Sequence, residues 1–108
     1  MHDYVLVLST IPADGAATAL ATALVEARLA ACVNVLPAMT SVYRWAEGIE
    51  EAAELQLVIK TTRASVPALW ETLRRLHPYD VPEFVVLPIV DGSEPYLKWM
   101  RDSTGPGS

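Results

Sequence analysis

Cysteine and basic residues are both scarce in this chain of 108 residues. Cys32 is the single cysteine, so no disulfide bond can form within the chain. Eight Lys and Arg residues stand against thirteen Asp and Glu residues, which gives a formal net charge of −5. Because nucleic acids and anionic membranes attract basic surfaces, we expect neither as a partner of this acidic chain.

Long apolar runs and export signals are missing as well. No run approaches the roughly 20 apolar residues that a membrane-spanning helix requires. The opening stretch MHDYVLVLSTIP has no basic segment before its apolar residues and carries Asp3 there instead, unlike a secretory signal peptide. Together with the single cysteine, these absences predict a cytoplasmic protein.

Apolar residues, by contrast, are abundant and make up 52% of the chain. The length indicates one domain, which we place at residues 1–102, followed by a flexible tail at residues 103–108. A domain of this size buries only about 60–70% of the surface of its unfolded chain. Part of the apolar excess is therefore expected on the surface, which favours self-association.

The spacing of apolar residues predicts an α+β domain of the ferredoxin-like type, a sandwich with an antiparallel sheet and the order βαββαβ. A short terminal helix completes the domain. The predicted strands are residues 4–10, 32–45, 51–62 and 83–90. The predicted helices are residues 13–31, 66–76 and 93–100.

Particular residues mark the ends of these elements. Asp14 is predicted as the N-cap of the first helix, and Thr62 or Ser65 as that of the second. Pro37 cannot donate a backbone hydrogen bond, so the second strand is expected to be an edge strand or to be bulged there. Glu47 and Gly48 are expected to form the turn of the following hairpin.

The second strand is too long for a monomer of this size. Fully extended, residues 32–45 span about 45 Å, whereas a domain of this length has a radius of gyration of about 13 Å. The hairpin must therefore overhang the body, although its tip carries Val42, Tyr43 and Trp45. Exposed aromatic residues on an edge strand favour aggregation unless another chain covers them.

We therefore expect a small cyclic oligomer in which the second strand of one subunit pairs with the fourth strand of the next. A hairpin that folds back over its own sheet is the less favoured alternative.

The densest group of reactive side chains is HPYDVPE, from His77 to Glu83. Pro78 and Pro82 disfavour helix at the residue before each, so the second helix is expected to end at Leu76. A stiff connection between helix and strand accounts for the prolines, but not for the histidine, the tyrosine or Glu83. The residues alone leave a site and a structural connection equally open.

Five stretches of the chain resemble the CutA family of divalent-cation tolerance proteins. They are VLSTIPADGAA near the start, LAACVNVLPAMTSVYRW, IKTT, LHPYDVPEFVVLPI and YLKWM. The resemblance implies the ferredoxin-like fold, a homotrimer with the architecture of the PII signalling proteins, and a role in tolerance of copper and other divalent cations. It implies no enzyme activity, and it places HPYDVPE in a cleft between subunits.

A divalent ion in that cleft is expected to be bound by Cys32, His77 and Glu83. Thiolate and imidazole suit soft ions such as copper or zinc, and carboxylate is a harder supplement. All three residues lie near the ends of predicted elements, where subunit pairing can bring them together. With no CxxC or HExxH spacing, weak binding and no other cofactor are predicted. The other expected cleft residues are Arg44, Trp45, Lys60, Tyr79 and Trp99.

Simpler roles exist for several of these residues. Cys32 is typical of a small buried apolar side chain. Lys60 is expected either to pair with Glu83 or hold an anion, or to be a solvated strand end. Trp45, Tyr96 and Trp99 are typical of interface packing. Four acidic residues near the hairpin turn are typical of a solvated turn, although four carboxylates would also bind hard cations weakly: Glu47, Glu50, Glu51 and Glu54.

Two positions depart from the family pattern. Some relatives carry a cysteine where this chain has Ser9 and a second histidine where it has Leu76. Tight copper binding is therefore the least transferable part of the family description. His2 has no predicted place in the fold, although an N-terminal Met-His can bind copper adventitiously.

Three functions stay open on the sequence. The favoured one is a non-catalytic homotrimer that binds a divalent cation or a small ligand in clefts between its subunits. The second is an enzyme with Cys32 as nucleophile and His77 as base. The third is a structural or signalling trimer that binds a partner protein or metabolite and has no physiological metal role.

Overall fold

One antiparallel sheet of five strands carries two helices on one side in the computed structural model, which describes residues 3–106. The strands are β1 (Tyr4–Pro12), β2 (Cys32–Val35), β3 (Met39–Trp45), β4 (Gly48–Thr62) and β5 (Val85–Pro88). The helices are α1 (Ala17–Glu26), α2 (Val66–Leu76) and α3 (Glu94–Asp102), with a 3₁₀ turn at Arg63–Ser65. The structure confirms the predicted ferredoxin-like α+β fold. Across residues 3–106, no helix has the length and apolar character to cross a membrane.

The strands lie in the order β2-β4-β1-β5, and β3 pairs with the outer part of β4. The predicted second strand, now β2 and β3, and the predicted fourth strand, now β5, are therefore both edges. Directly paired residues share a face of the sheet, because side chains alternate along each strand. Val7 opposite Ile59 lies on the face that the helices cover, whereas Leu8 opposite Val58 lies on the other.

The hydrophobic core lies between the helices and the inner face of the sheet. Its fully buried residues come from β1, β4, α1 and α2 and include Val5, Val7, Ile11, Leu24, Leu57, Ile59, Leu69 and Leu73. The opposite face, which we call the open face, is less protected. Leu6, Leu8 and Val58 are half-buried there, and Val85 and Leu87 are exposed.

The hairpin of β3 and the outer part of β4, residues 39–53, projects beyond the rest of the chain; we call it the finger. The molecule measures 47 × 26 × 24 Å, which is far from isotropic for one domain. Val42, Trp45 and Ile49 on the finger are 63%, 59% and 60% exposed. These values confirm the predicted overhang with an exposed apolar tip. The alternative of a hairpin folded over its own sheet is wrong.

The predicted second strand is interrupted at residues 36–38, between β2 and β3. Pro37 lies in this break, where its missing N–H costs no ladder hydrogen bond. Leu36 still donates its backbone N–H to the Gln56 carbonyl at 2.9 Å, which keeps the break close to β4. The expectation of an edge strand disturbed at Pro37 is thus confirmed, whereas a continuous strand over residues 32–45 is wrong.

The first helix is shorter than predicted, since α1 covers Ala17–Glu26 and not residues 13–31. Gly15 has φ of +93°, outside the helical region. Asp14 accepts the N–H of Ala16 at 3.2 Å, so it closes the preceding turn, and Ala16 occupies the N-cap position instead.

Arg28 terminates the other end of α1. Its φ of 60° is left-handed, and the N–H of Leu29 returns to the Leu24 carbonyl at 3.0 Å, as in a Schellman motif. The Arg28 side chain also donates to the backbone carbonyls of Asp102 and Gly105, both at 2.7 Å. The predicted division into a domain of residues 1–102 and a tail of residues 103–108 stays a prediction, and residues 107 and 108 lie outside the described range.

Two smaller predictions concern α2 and the hairpin turn. Ser65 occupies the N-cap position of α2, but its hydroxyl bonds to the Thr62 hydroxyl at 3.2 Å and caps no helix N–H. α2 ends at Leu76, as predicted. The hairpin turns at Ala46 and Glu47, with φ of 55° at Ala46, so the turn lies one residue earlier than predicted.

Candidate functional site

The segment HPYDVPE connects α2 to β5 and does the structural work that its prolines indicate. His77 is the residue after the last helical turn, with extended backbone angles of φ −79° and ψ 140°, and its N–H still bonds to the Leu73 carbonyl. Pro78 disfavours helix at the residue before it, which is why the chain leaves the helix at this point. The segment is a connection, but its side chains are also engaged.

The imidazole of His77 is buried, with the residue 7% exposed, and both ring nitrogens form hydrogen bonds. Nε2 lies 2.6 Å from the Thr10 carbonyl, and Nδ1 accepts the backbone N–H of Tyr79 at 3.0 Å. The ring therefore ties the end of β1 to the start of the segment.

Tyr79 carries the connection further. Its hydroxyl donates to the Glu54 carboxylate at 2.8 Å, and Glu54 is 6% exposed. Burial, and after it the hydrogen bond and the negative charge of Glu54, together raise the pKa of Tyr79 from 10.0 to about 12. The rings of His77 and Tyr79 also pack against each other, with 4.9 Å between their centroids.

Glu83, at the end of the segment, is held by Gln56 on β4. The Gln56 amide nitrogen lies 3.2 Å from the Glu83 carboxylate and 2.7 Å from the Ser9 carbonyl. The resulting group of side chains, which we call the segment cluster, fixes the segment to β1 and β4. Its members are Thr10, Glu54, Gln56, His77, Tyr79 and Glu83.

Sequence reasoning missed three members of the segment cluster. The sequence patterns place Glu54 in the acidic hairpin turn and give Thr10 and Gln56 no role. The register places Gln56 opposite Thr10 and Glu54 opposite Pro12, on the same face of β4. Period-two alternation was the available signal, but it identifies a shared face only once the strand partners are known.

Cys32 and Lys60 lie at a different place. They are direct partners on β2 and β4, four residues along β4 from Gln56, a separation of about 13 Å. Lys60 Nζ lies 5.7 Å from the ring centroid of Tyr96, which itself packs on Trp99 at 5.3 Å. Within residues 3–106, no ion pair joins Lys60 to Glu83.

Arg44 and Trp45 lie on the finger, and both are exposed. Arg44 pairs with Ile49, five residues along β4 from Glu54, so the two lie about 17 Å from the segment cluster. The expected cleft residues therefore occupy three separate places in one chain. Only His77, Tyr79 and Glu83 are brought together.

Within the described part of one chain, the donor side chains do not fit a divalent metal ion. Among residues 3–106, no group of three or more His, Cys, Asp or Glu side chains could hold one. Cys32 is remote from the other two proposed ligands, and His77 uses both ring nitrogens in hydrogen bonds. The same separation argues against a Cys32–His77 nucleophile and base pair in one chain. The metal site at Cys32, His77 and Glu83 stays a prediction.

Comparison with known proteins gives a consistent result. A family model described as "CutA1 divalent ion tolerance protein" matches residues 5–103. The chain is 51% identical over 100 residues to the divalent-cation tolerance protein CutA of Thermus thermophilus, covering 93% of this chain and 97% of that protein. It is 47% identical over 95 residues to human protein CutA, covering 88% of this chain but only 53% of the human protein.

The fold comparison agrees with the sequence comparison. The solved structure of the Thermus thermophilus divalent cation tolerance protein superposes with a TM-score of 0.91 at 50% identity, covering 94% of this chain and 99% of that one. At this coverage the likeness extends over the finger and the segment cluster as well as the core.

Proposed function

Because this chain belongs to the CutA1 divalent ion tolerance family, we propose that it acts as a non-catalytic homotrimer of the divalent-cation tolerance type. In this proposal, the clefts between neighbouring chains bind a cation or a small ligand. The family name describes a tolerance protein and no enzyme. The number three comes from the family resemblance, and a cytoplasmic location stays a prediction.

The exposed finger is the single observation that carries the oligomer. Tyr43 and Trp45 lie on the side of β4 that continues the open face, where they are 41% and 59% exposed. Val42 and Ile49 are exposed on the other side of the finger. Apolar residues on both sides of a projecting hairpin favour burial against another chain.

A complementary surface lies at the opposite edge of the sheet. β5 pairs only with β1, so its outer backbone groups are unpaired within the described chain. Exposed apolar side chains line this edge: Leu76, Val81, Val85, Leu87 and Val90. A finger from one chain that docks on this edge of the next is a heterologous contact, and such contacts can close into a ring.

Docking of the finger on a neighbouring chain would form the proposed ligand-binding cleft between the two chains. It places Arg44 and Trp45 of one chain near the segment cluster of its neighbour, which joins two of the three places where the expected cleft residues lie. A cation or small ligand bound there would contact residues of two chains. The incomplete donor set of a single chain is consistent with this arrangement.

Sedimentation of matched variants tests the oligomer. Tyr43 on the finger and Val25 on α1 are each 41% exposed, so Tyr43→Glu and Val25→Glu introduce the same charge at equally exposed positions. We expect the wild type and Val25→Glu to sediment as trimers and Tyr43→Glu to dissociate. A folded wild-type monomer at micromolar concentration would contradict the proposal.

Calorimetry with copper and zinc tests the ligand. Removing His2 first, as His2→Gln, eliminates adventitious binding by the only other histidine. A stoichiometric transition in the trimer that disappears in Tyr43→Glu supports a cation site between chains.

A structural or partner-binding trimer is the second candidate, favoured by the lack of a three-ligand group within residues 3–106. It predicts no stoichiometric transition with either metal in a trimer that is otherwise intact.

A further inference from the structure

β1 is longer than the strand that flanks it on one side, and His77 occupies the remaining gap. β5 pairs with β1 from Val5 to Leu8 and then ends, whereas β1 continues to Pro12. The Thr10 carbonyl lies in this uncovered part and is bonded to His77 Nε2. A side chain thus provides the bond that a longer β5 would otherwise provide, which matters because buried backbone oxygens require a partner.

The two hydrogen bonds of His77 determine the state of its ring. A carbonyl oxygen can only accept, so Nε2 carries a proton and donates to Thr10. A backbone N–H can only donate, so Nδ1 is unprotonated and accepts from Tyr79. The ring is therefore neutral, with its proton on Nε2. No lone pair is left for a metal ion, which binds a ring nitrogen that carries no proton.

We infer that His77 is a positioning residue and not a metal ligand in this chain. Through Nδ1 it sets the backbone of Tyr79, and the Tyr79 hydroxyl in turn reaches the buried Glu54 carboxylate. His77 thereby fixes the segment from Pro78 to Glu83 against β1 and β4. This inference goes beyond the proposed function and holds for a monomer or a trimer, because every contact lies within one chain.

The ring state gives a direct spectroscopic test. His2 is the other histidine, so a His2→Gln protein labelled with ¹⁵N-histidine reports His77 alone. Long-range ¹H–¹⁵N spectra at neutral pH are expected to show one protonated and one unprotonated nitrogen, with the proton on Nε2. Equimolar zinc is expected to leave both signals unchanged. A proton on Nδ1, or a zinc-dependent shift of the Nδ1 signal, would overturn the inference.

Two variants separate the two bonds. In His77→Asn, the side-chain oxygen can lie near the Nδ1 position and still accept the Tyr79 N–H, but the hydrogen bond to the Thr10 carbonyl is lost. In His77→Phe, the ring is retained but both hydrogen bonds are lost. Amide hydrogen exchange at Tyr79 is expected to be roughly tenfold faster in His77→Phe and close to wild type in His77→Asn. The amide of Val7 in the sheet centre serves as the internal reference.

Cys32→Ala provides the matched control, since it removes the other soft ligand without touching the segment. We expect its Tyr79 amide to exchange at the wild-type rate. Equal Tyr79 exchange in wild type and His77→Phe would overturn the positioning role. If His77→Phe does not fold, the ring-state measurement on the His2→Gln protein still decides between the two roles.

Discussion

The two ends of β4 have the same backbone conformation in very different surroundings. Its inner part, residues 54–62, has a strand on each side over much of its length and contributes Leu57 and Ile59 to the core. Its outer part, residues 48–53, pairs with β3 alone, and Ile49 there is 60% exposed. One strand thus belongs half to the core of its own chain and half to an exposed hairpin, which we propose is buried against another chain. Substitutions in the inner part should therefore lower stability at every protein concentration, whereas substitutions in the outer part should act chiefly where the protein concentration is low.

The largest expected effect is at the inner end. Leu57 is fully buried, so Leu57→Ala leaves a cavity and is expected to lower the free energy of unfolding by about 2–5 kcal/mol. Urea unfolding monitored by circular dichroism measures this. Because Leu57 is buried within one chain, the loss should be the same at every protein concentration, and a strong concentration dependence would remove the distinction between the two ends.

Ile49→Ala probes the outer end. Within one chain the exposed Ile49 contributes little, whereas burial against a neighbour is worth about 1.5–3 kcal/mol for a side chain of this size. We expect Ile49→Ala to lower the unfolding midpoint chiefly at low protein concentration, where the oligomer dissociates. Urea titrations at two protein concentrations a hundredfold apart measure this. Identical midpoints for wild type and variant throughout would show that the finger is not an interface.

Two buried hydroxyls sharpen the description of the inner face. Thr61 and Ser9 are both fully buried, but Thr61 donates to the Leu29 carbonyl at 2.7 Å, whereas Ser9 Oγ finds no hydrogen-bond partner among residues 3–106. We expect Thr61→Val to cost about 1 kcal/mol and Ser9→Ala to be neutral or to gain a similar amount. Thermal unfolding of both variants measures the difference. Equal destabilisation by the two changes would mean that the Ser9 hydroxyl is satisfied in solution.

The smallest expected effect is a pH dependence near the segment cluster. The pKa of Tyr79 rises from 10.0 to about 12 on folding, chiefly through burial and then through Glu54. The folded chain therefore holds the phenol proton more tightly, so this contribution to stability is complete below pH 10 and is lost as the pH rises toward about 12. The free energy of unfolding of Tyr79→Phe should therefore fall less steeply with rising pH than that of the wild type over this range. Parallel stability curves for the two proteins would contradict the raised pKa.

Much of the fold could be predicted because the decisive signals are local. The prolines of HPYDVPE end α2 at Leu76 by steric exclusion, and the length of the extended pattern over residues 32–45 predicts the overhanging finger. The ends of α1 could not be predicted in the same way. Alanines continue the helical pattern past Arg28, and only its left-handed backbone shows where the helix ends.

The segment cluster was only half visible in the sequence for a different physical reason. His77, Tyr79 and Glu83 are close together in the chain, whereas Glu54, Gln56 and Thr10 join them through strand register. Register depends on which residues become partners across the sheet, and no local pattern contains that information. The same limit applies to His77, whose hydrogen-bond partners decide between a ligand and a positioning role.

The break at residues 36–38 also determines on which face of the sheet each side chain of the finger lies. In β2, residue numbers of partners on β4 add to 92, as for Cys32 and Lys60, but in β3 they add to 93, as for Met39 and Glu54. The break therefore contributes one extra residue, as in a β-bulge. Beyond it, odd-numbered side chains of β3 lie on the open face, whereas in β2 the even-numbered ones do. If the register of β2 continued unchanged into β3, Tyr43 would lie opposite Ile49 on the side that the helices cover, so the extra residue decides that the finger presents its aromatic rings on the open face.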